Sequence, residues 1–366
     1  MWPTPSSSTS RSWQRSEAAP PASTRDQDLV IVTTNARNSI TVAGVTVKPG
    51  RVSRFELDYG RLASGTEASM PVAVVNGRGA GPRVFVTAAI HGDELNGVEV
   101  VRRLLRALDP KTLKGTVIAV PILNVVGFLN ESRYLPDRRD PNRAFPGSKR
   151  GSLGSRLAEL FTTKIMMKCE VGIDLHTASN HRVNIPQVRA DLDDPETLEL
   201  TKAFGAPFSI HARLRDGSLR QTATENGIRV LVYEAGEAHR FDTDAIDIGL
   251  DGTLRILHSL GMISKSPGKG VKPTQLRRTT WVRARRGGLA TLDVDLGDEV
   301  AEGDRLGAIG DAFGYRPARI RSTVSGFVIA KTLNPLVSPG DALVHIGSPS
   351  GNDRDEPAER KRRRRS

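Results

Sequence analysis

At 366 residues, with 38% hydrophobic and 26% charged side chains, the chain has the composition of a globular protein and enough length for two domains. A single cysteine, Cys169, excludes an internal disulfide framework and any multi-cysteine metal cluster, and no apolar run reaches the length of a membrane-spanning helix. Much of the net charge of +12 is local, in the run Arg360 to Arg365 and between Lys265 and Arg286, so it reads as a solvated tail and a basic linker. Such a tail attracts polyanions without sequence specificity. Lacking interleaved aromatic residues, it does not predict a specific nucleic-acid partner.

Residues 1–28 are rich in Ser, Pro and Thr and lack the apolar stretch of a secretory signal, which predicts a disordered lead-in and a cytoplasmic protein. Residues 29–78 carry short alternating segments such as Ile40-Thr41-Val42 and Phe55-Glu56-Leu57, broken by Gly and Pro, and read as a β-rich extension. An α/β domain is expected over 79–264. It opens with Arg83 to Ile90, a continuous apolar run of strand length suited to a sheet covered on both faces. From Asn96 the spacing is helical, with Val98, Val101, Leu104, Leu105 and Leu108 on one face. Gly115 to Val120, Val171 to Leu175 and Ile228 to Tyr233 read as further buried strands, and 153–167 and 195–204 as helices. Cys169, just before the apolar Val171-Gly172-Ile173, is expected to be a buried structural thiol.

After a basic linker at 265–278 the pattern changes. Over 279–348 short strands alternate with turn signals at Gly287-Gly288, Gly297-Asp298, Gly303-Asp304, Ser325-Gly326 and Gly340-Asp341. The phrases VDLGDEVAEGDRLGAIG and PLVSPGDALVHIG end alike, as in a small β unit with two similar halves. It resembles the barrel-sandwich fold of biotinyl and lipoyl carriers but has no Met-Lys-Met attachment site. The remaining residues, 349–366, read as a disordered basic tail. The expected fold class is therefore α/β, a mixed sheet between helices, with a small C-terminal all-β barrel-sandwich domain.

Three short segments carry chemistry at the ends of predicted strands, where open α/β sheets place their ligand sites. His91-Gly92-Asp93-Glu94 offers an imidazole and a carboxylate three residues apart. Asp174-Leu175-His176-Thr177 puts Asp174 and His176 on one strand face, where the carboxylate can support a ligand histidine. His91, Glu94 and His176 make a two-histidine, one-carboxylate set with the open position of a catalytic zinc site. Tyr233-Glu234-Ala235-Gly236-Glu237 supplies a carboxylate to act as general base, Glu234 or its rival Glu237. A long polar loop, Arg133 to Gly147, contains several arginines, which read either as a solvated basic loop or as guanidiniums placed for bidentate recognition of a carboxylate.

In this order and context, HGDELNG, SRYLPDRRDPNRAFPG, IDLHT, VYEAGE and the C-terminal β segment resemble the succinylglutamate desuccinylase/aspartoacylase family, a branch of the zinc carboxypeptidase-like hydrolases, over roughly residues 40–347. The resemblance implies one Zn2+ per chain held by His91, Glu94 and His176, and Glu234 as general base. It implies Arg133 as the group that polarises the scissile carbonyl, and Asn142 with Arg143 as the pair that holds a substrate carboxylate. The stretch His181 to Arg189 looks like a substrate loop of the family. One departure is visible: the usual Asp-Leu-Asn-Arg is Asp140-Pro141-Asn142-Arg143, and proline fixes φ and removes a donor. The function expected is a zinc-dependent deacylase cleaving an N-acyl amino acid or related small amide, with homo-oligomerisation left open. The alternatives are a metallocarboxypeptidase acting on peptide C-termini and a non-catalytic binding protein on the same scaffold.

Overall fold

The computed structural model describes residues 38–179, 181–315 and 317–349; the lead-in 1–28 and the basic run 360–365 lie outside the described residues. Two short strands, β1 (Ile40–Val42) and β2 (Val45–Val47), form a hairpin. Next come β3 (Arg51–Arg61), β4 (Glu67–Asn76), β5 (Gly79–Ala88), α1 (Asn96–Ala107), β6 (Lys114–Val120), α2 (Val125–Leu129) and α3 (Leu153–Lys164). They are followed by β7 (Val171–Ala178), β8 (Arg182–Ala190), α4 (Pro195–Phe204), β9 (Phe208–His211), α5 (Leu219–Glu225), β10 (Arg229–Glu237) and α6 (Thr243–Ser259). Beyond them the described residues form strands only: β11 (Thr274–Leu276), β12 (Arg278–Arg283), β13 (Gly288–Leu292), β14 (Glu299–Val300), β15 (Arg305–Gly310), β16 (Ala318–Arg321), β17 (Gly326–Thr332), β18 (Leu336–Val337) and β19 (Ala342–Ser348). No helix among the described residues is long and apolar enough to cross a membrane.

The heart of the fold is a parallel run β10-β7-β5-β6 inside a 13-stranded mixed sheet. Its strands are apolar along their whole length because both faces are covered. Val84, Val86 and Ala88 of β5 point into one core with α1, α4 and α6. Phe85 points into the other, with α2, α3 and α5. Local signals set the helix ends. Ser152, Asp194, Ser218 and Asp242 each accept a backbone N–H in the first turn of α3, α4, α5 and α6. Pro195 starts α4, and Gly205, at φ 71°, ends it. Cys169 is buried, as its apolar neighbours predict.

Three segments set apart by sequence pattern prove to be strands of this same sheet. β3 and β4, from the expected extension, pair at the edge beside β6. β11, from the expected linker, adds parallel to β9. The expected substrate loop is β8, which pairs with β10 on one side and with β9 and β17 along the other. The C-terminal strands do have their own core, with Val282, Leu306, Ile320, Val328, Val344 and Ile346 drawn from two sheets. One of those sheets, however, is continuous with the large one through β17 on β8. Pairings between residues far apart in sequence leave no local signature, which is why composition suggests boundaries where the sheet has none.

Packing at the sheet centre leaves no slack. Gly172 of β7 lies opposite Phe85 of β5, and a Cβ at position 172 would stand 2.0 Å from the Phe85 ring. Gly172→Ala is expected to cost about 1–3 kcal/mol by overpacking, measured as a lower denaturant midpoint. Adding Phe85→Leu should recover part of that loss in a double-mutant cycle. A strictly additive cycle would disprove the contact.

Candidate functional site

The order of the strands creates the site. The chain leaves β5 through α1 to pair β6 on one side, then later sets β7 on the other side of β5. Such a reversal opens a crevice beyond the carboxyl ends of the strands. His91 and Glu94 follow β5 at this point. Asp174 and His176 sit in the middle and second half of β7, and Glu234 lies directly beside His176 in the parallel register of β10.

Backbone geometry aims the first pair. After β5, Ala89 takes a left-handed conformation at φ 48°, uncommon for a residue with a side chain. The N–H groups of Leu123 and Asn124 secure it by donating to the carbonyls of Ala88 and Ala89, at 3.0 and 2.9 Å. A turn follows in which Glu94 N–H donates to the His91 carbonyl at 3.2 Å, bringing both side chains to one side. Gly92 is required within that turn, because a Cβ there would stand 2.0 Å from the backbone of Gly127 in α2.

His91, Glu94 and His176 converge with their ligand atoms within 4.8 Å of one another, all three residues buried. The Nδ1 atoms of His91 and His176 lie 2.8 and 2.9 Å from opposite oxygens of Glu94, and the Thr177 N–H donates to the second oxygen at 3.1 Å. Each imidazole is steadied from behind through Nε2, His91 by Asp140 at 3.0 Å and His176 by Asp174 at 2.9 Å. Outer carboxylates on the far nitrogen are what metal-ligating histidines characteristically have. Donor types, convergence and backing carboxylates all fit a metal ion of the zinc type.

The charges are strongly coupled. Burial alone would raise the pKa of Glu94, but His91 and His176 outweigh it and hold the carboxyl below the usual carboxylate range. Burial would likewise depress His176, yet Asp174 and Glu94 raise it well above an ordinary imidazole. Arg133 ties the set to the polar loop. Its guanidinium donates to Glu94 Oε1 at 3.1 Å, to Ser179 Oγ at 3.2 Å and to Asp140 Oδ2 at 3.0 Å.

The remaining candidates line the same cavity of about 790 Å³. Glu234 accepts from Asn184 Nδ2 at 2.8 Å and lies 3.8 Å from Arg189 Nε. Its rival Glu237 is not in the cavity lining and pairs with Arg240 at 3.1 Å. Asn142 and Arg143 also face the cavity. Pro141 opens the 3-10 turn Pro141–Arg143, where its missing N–H costs nothing, and Asp140 caps that turn by accepting from Asn142 N–H. The side-chain Oδ1 of Asn142 accepts from Leu219 N–H at 2.9 Å, so Nδ2 is the part of the side-chain amide left for a ligand.

Sequence reasoning missed several residues that line this cavity or stand behind it. Asp140 stands in the quoted loop and could have been found as a partner for a basic neighbour. Asn184 and Arg189 were concealed by the reading of β8 as a loop. Trp281 of β12 and His345 of β19 arrive from the C-terminal segment with no local signal at all.

Comparison with known proteins follows the same lines. Residues 80–260 match the family model described as the succinylglutamate desuccinylase/aspartoacylase catalytic domain. The chain is 30% identical over 294 residues to the N-alpha-acetyl-L-2,4-diaminobutyric acid deacetylase of Halomonas elongata, covering 76% of this chain and 85% of that protein. Among solved structures it is similar to a succinylglutamate desuccinylase/aspartoacylase from Rhodobacter sphaeroides, with 28% identity, a TM-score of 0.74, and 82% of this chain and 98% of that one covered. It shares the fold of the product-bound ectoine utilization protein EutE (DoeB) from Ruegeria pomeroyi, with 24% identity, a TM-score of 0.75, and coverage of 82% and 97%.

The buried Asp174 carboxylate orients His176, so Asp174→Ala is expected to weaken metal binding about 10- to 100-fold. Competition with a chromogenic chelator measures this, with circular dichroism as a check that the sheet persists. Unchanged affinity in a folded variant would show that His176 needs no such anchor.

Proposed function

The chain belongs to the succinylglutamate desuccinylase/aspartoacylase family, and from that premise we propose that it is a zinc-dependent deacylase that hydrolyses an N-acyl amino acid or related small amide to a carboxylic acid and a free amine. The observation that carries this reading is the convergence of His91, Glu94 and His176 beside Glu234 in one cavity. Support also comes from the Halomonas elongata relative, an amide hydrolase by name, which aligns over most of both chains.

His91, Glu94 and His176 would hold one Zn2+, which when bound supplies Lewis acidity, making a water acidic near neutral pH and polarising the acyl carbonyl. Glu234 takes a proton from the attacking water and passes it to the departing amine nitrogen as the C–N bond breaks. Asn184 and Arg189 steady its carboxylate for both transfers. Arg133 donates to the developing oxyanion. Three of its five N–H groups are held by Glu94, Ser179 and Asp140, leaving the guanidinium firmly oriented and two donors free. Asn142 Nδ2 and Arg143 hold the α-carboxylate of the amino-acid part by charge-assisted hydrogen bonds.

Glu234→Gln is expected to retain about one zinc per chain by mass spectrometry while turnover falls at least about 100-fold. His176→Ala should lose the metal as well as the activity. Near-normal turnover of Glu234→Gln would remove Glu234 from its role. A panel of N-acyl amino acids beside unmodified peptides tests the substrate class, and release of C-terminal residues from the peptides would favour a carboxypeptidase instead.

A further inference from the structure

One polar residue of the HGDELNG segment belongs neither to the metal set nor to the turn that aims it. Asn96 opens α1 two residues beyond Glu94 and is only 2% exposed. Its neighbour fixes where it lies. A Cβ on Gly97 would stand 2.7 Å from Leu175 Cβ and 2.9 Å from Ala88 Cβ, so the start of α1 presses directly on β5 and β7. Asparagine has no advantage there as a helix former, and a buried amide needs partners for both its donor and its acceptor.

Both partners come from the far side of the base. Asn96 Nδ2 donates to the Ala235 carbonyl at 3.2 Å, and its Oδ1 accepts from the Asp242 N–H at 2.9 Å. Ala235 follows Glu234 directly and sits in the bulge of β10, where the registers with β7 and with β8 both pass over it. Gly236, at φ 74°, leaves room for the amide, since a Cβ there would stand 2.5 Å from Asn96 Nδ2. Asp242 in turn caps α6 by accepting from the Ala245 N–H at 3.1 Å. A second tie lies close by, with the His239 N–H donating to the Asp93 carbonyl at 2.8 Å. The turn that carries His91 and Glu94 is thus fastened to the segment that follows Glu234, and Asn96 is the side chain that fastens it.

We propose that Asn96 is a positioning residue for Glu234: it holds the bulge of β10 against the start of α1 and so fixes the base relative to His91, Glu94 and His176. This rests on the deacylase reading and deepens it. Asn184 and Arg189 steady the Glu234 carboxylate at its far end, whereas Asn96 fixes the backbone from which that side chain projects. Proton transfer needs such control, because a displacement of about 1 Å can cost about 100-fold in rate. The amide suits the task because it donates to one residue of the segment and accepts from another, which neither an aliphatic side chain nor a carboxylate can do.

Asn96→Ala should retain zinc and the circular dichroism of the unaltered protein while kcat on N-acyl amino acids falls about 100-fold and KM changes little. A double-mutant cycle separates positioning from a merely structural role. In a Glu234→Gln background, where the base is already gone, Asn96→Ala should lower kcat no further. Penalties that multiply would overturn the proposal. Asn96→Ser, whose hydroxyl is too short to hold both partners, serves as a second variant. Loss of the sheet in both would make Asn96 a folding residue and overturn the proposal as well.

The position of the base can also be read without turnover. With isotope-labelled glutamate carboxyl carbons, the NMR signal of Glu234 is the one lost in Glu234→Gln. Asn96→Ala should shift or broaden that signal and leave those of glutamates on distant strands, such as Glu67 of β4, in place. An unmoved Glu234 signal, or an unaltered kcat, would overturn the proposal. A moved signal in a protein that hydrolyses none of the N-acyl amino acids would sink the deacylase reading and leave Asn96 as the anchor of Glu234. Hydrolysis that Asn96→Ala leaves intact, with an unmoved signal, would do the reverse.

Discussion

The carboxylate of Glu94 is the group on which the site depends. It is 1% exposed, and an unpaired charge so deep would be prohibitive. Two imidazoles, the Thr177 N–H and the Arg133 guanidinium share its two oxygens. Those partners come from three parts of the chain: the turn after β5, the second half of β7 and the loop before α3. Each except the backbone N–H is held in turn by a further carboxylate. The result is a hydrogen-bonded cluster in which the positions of His91, His176 and Arg133 are mutually fixed. Positions set this way have little freedom to relax, which suits a metal-ligand set that must meet a narrow coordination geometry.

That cluster can form only because of the sheet. Parallel pairing of β5, β7 and β10 brings the ends of three strands side by side, and the reversal between β5 and β7 leaves room for side chains between them. The register then puts Glu234 next to His176 rather than one residue away, where its side chain would face the opposite layer. Past a bulge in β10, with Gly236 at φ 74°, Glu237 pairs further along the strand with Ala178 and is held by Arg240, outside the cavity lining. Position along the strand thus separates two glutamates that are equivalent in composition.

The C-terminal strands bring a different contribution. By pairing β17 with the first half of β8, they extend the large sheet past the cavity rather than hanging from it. Trp281 and His345 consequently form part of the wall, together with the arginines of β8 and of the segment before α5, and Arg182 of β8 lies over the Trp281 ring. The cavity is therefore built from two stretches of chain: the His91, Glu94 and His176 set lies at the strand ends of the α/β core, and part of the wall comes from strands added after it.

Much of this was legible in the amino-acid sequence. The strands buried on both faces, the ends of α4 and the His91, Glu94 and His176 set all follow from local pattern: apolar runs, capping residues, and ligand types at strand ends. Asp174 behind His176 was legible too, since two residues apart on a strand means the same face. What sequence could not supply was anything created by pairing distant residues. The extension, linker and loop read from composition became β3, β4, β11 and β8 of one sheet because hydrogen bonding between strands carries no local mark. Asp140 bridging His91 and Arg133, and Trp281 and His345 reaching the cavity, are likewise products of tertiary structure alone. Sequence by itself determined which groups could do the chemistry, because residue type and strand-end position are local properties. Only the folded chain decided which side chains meet in the cavity, because that depends on distances between segments more than a hundred residues apart.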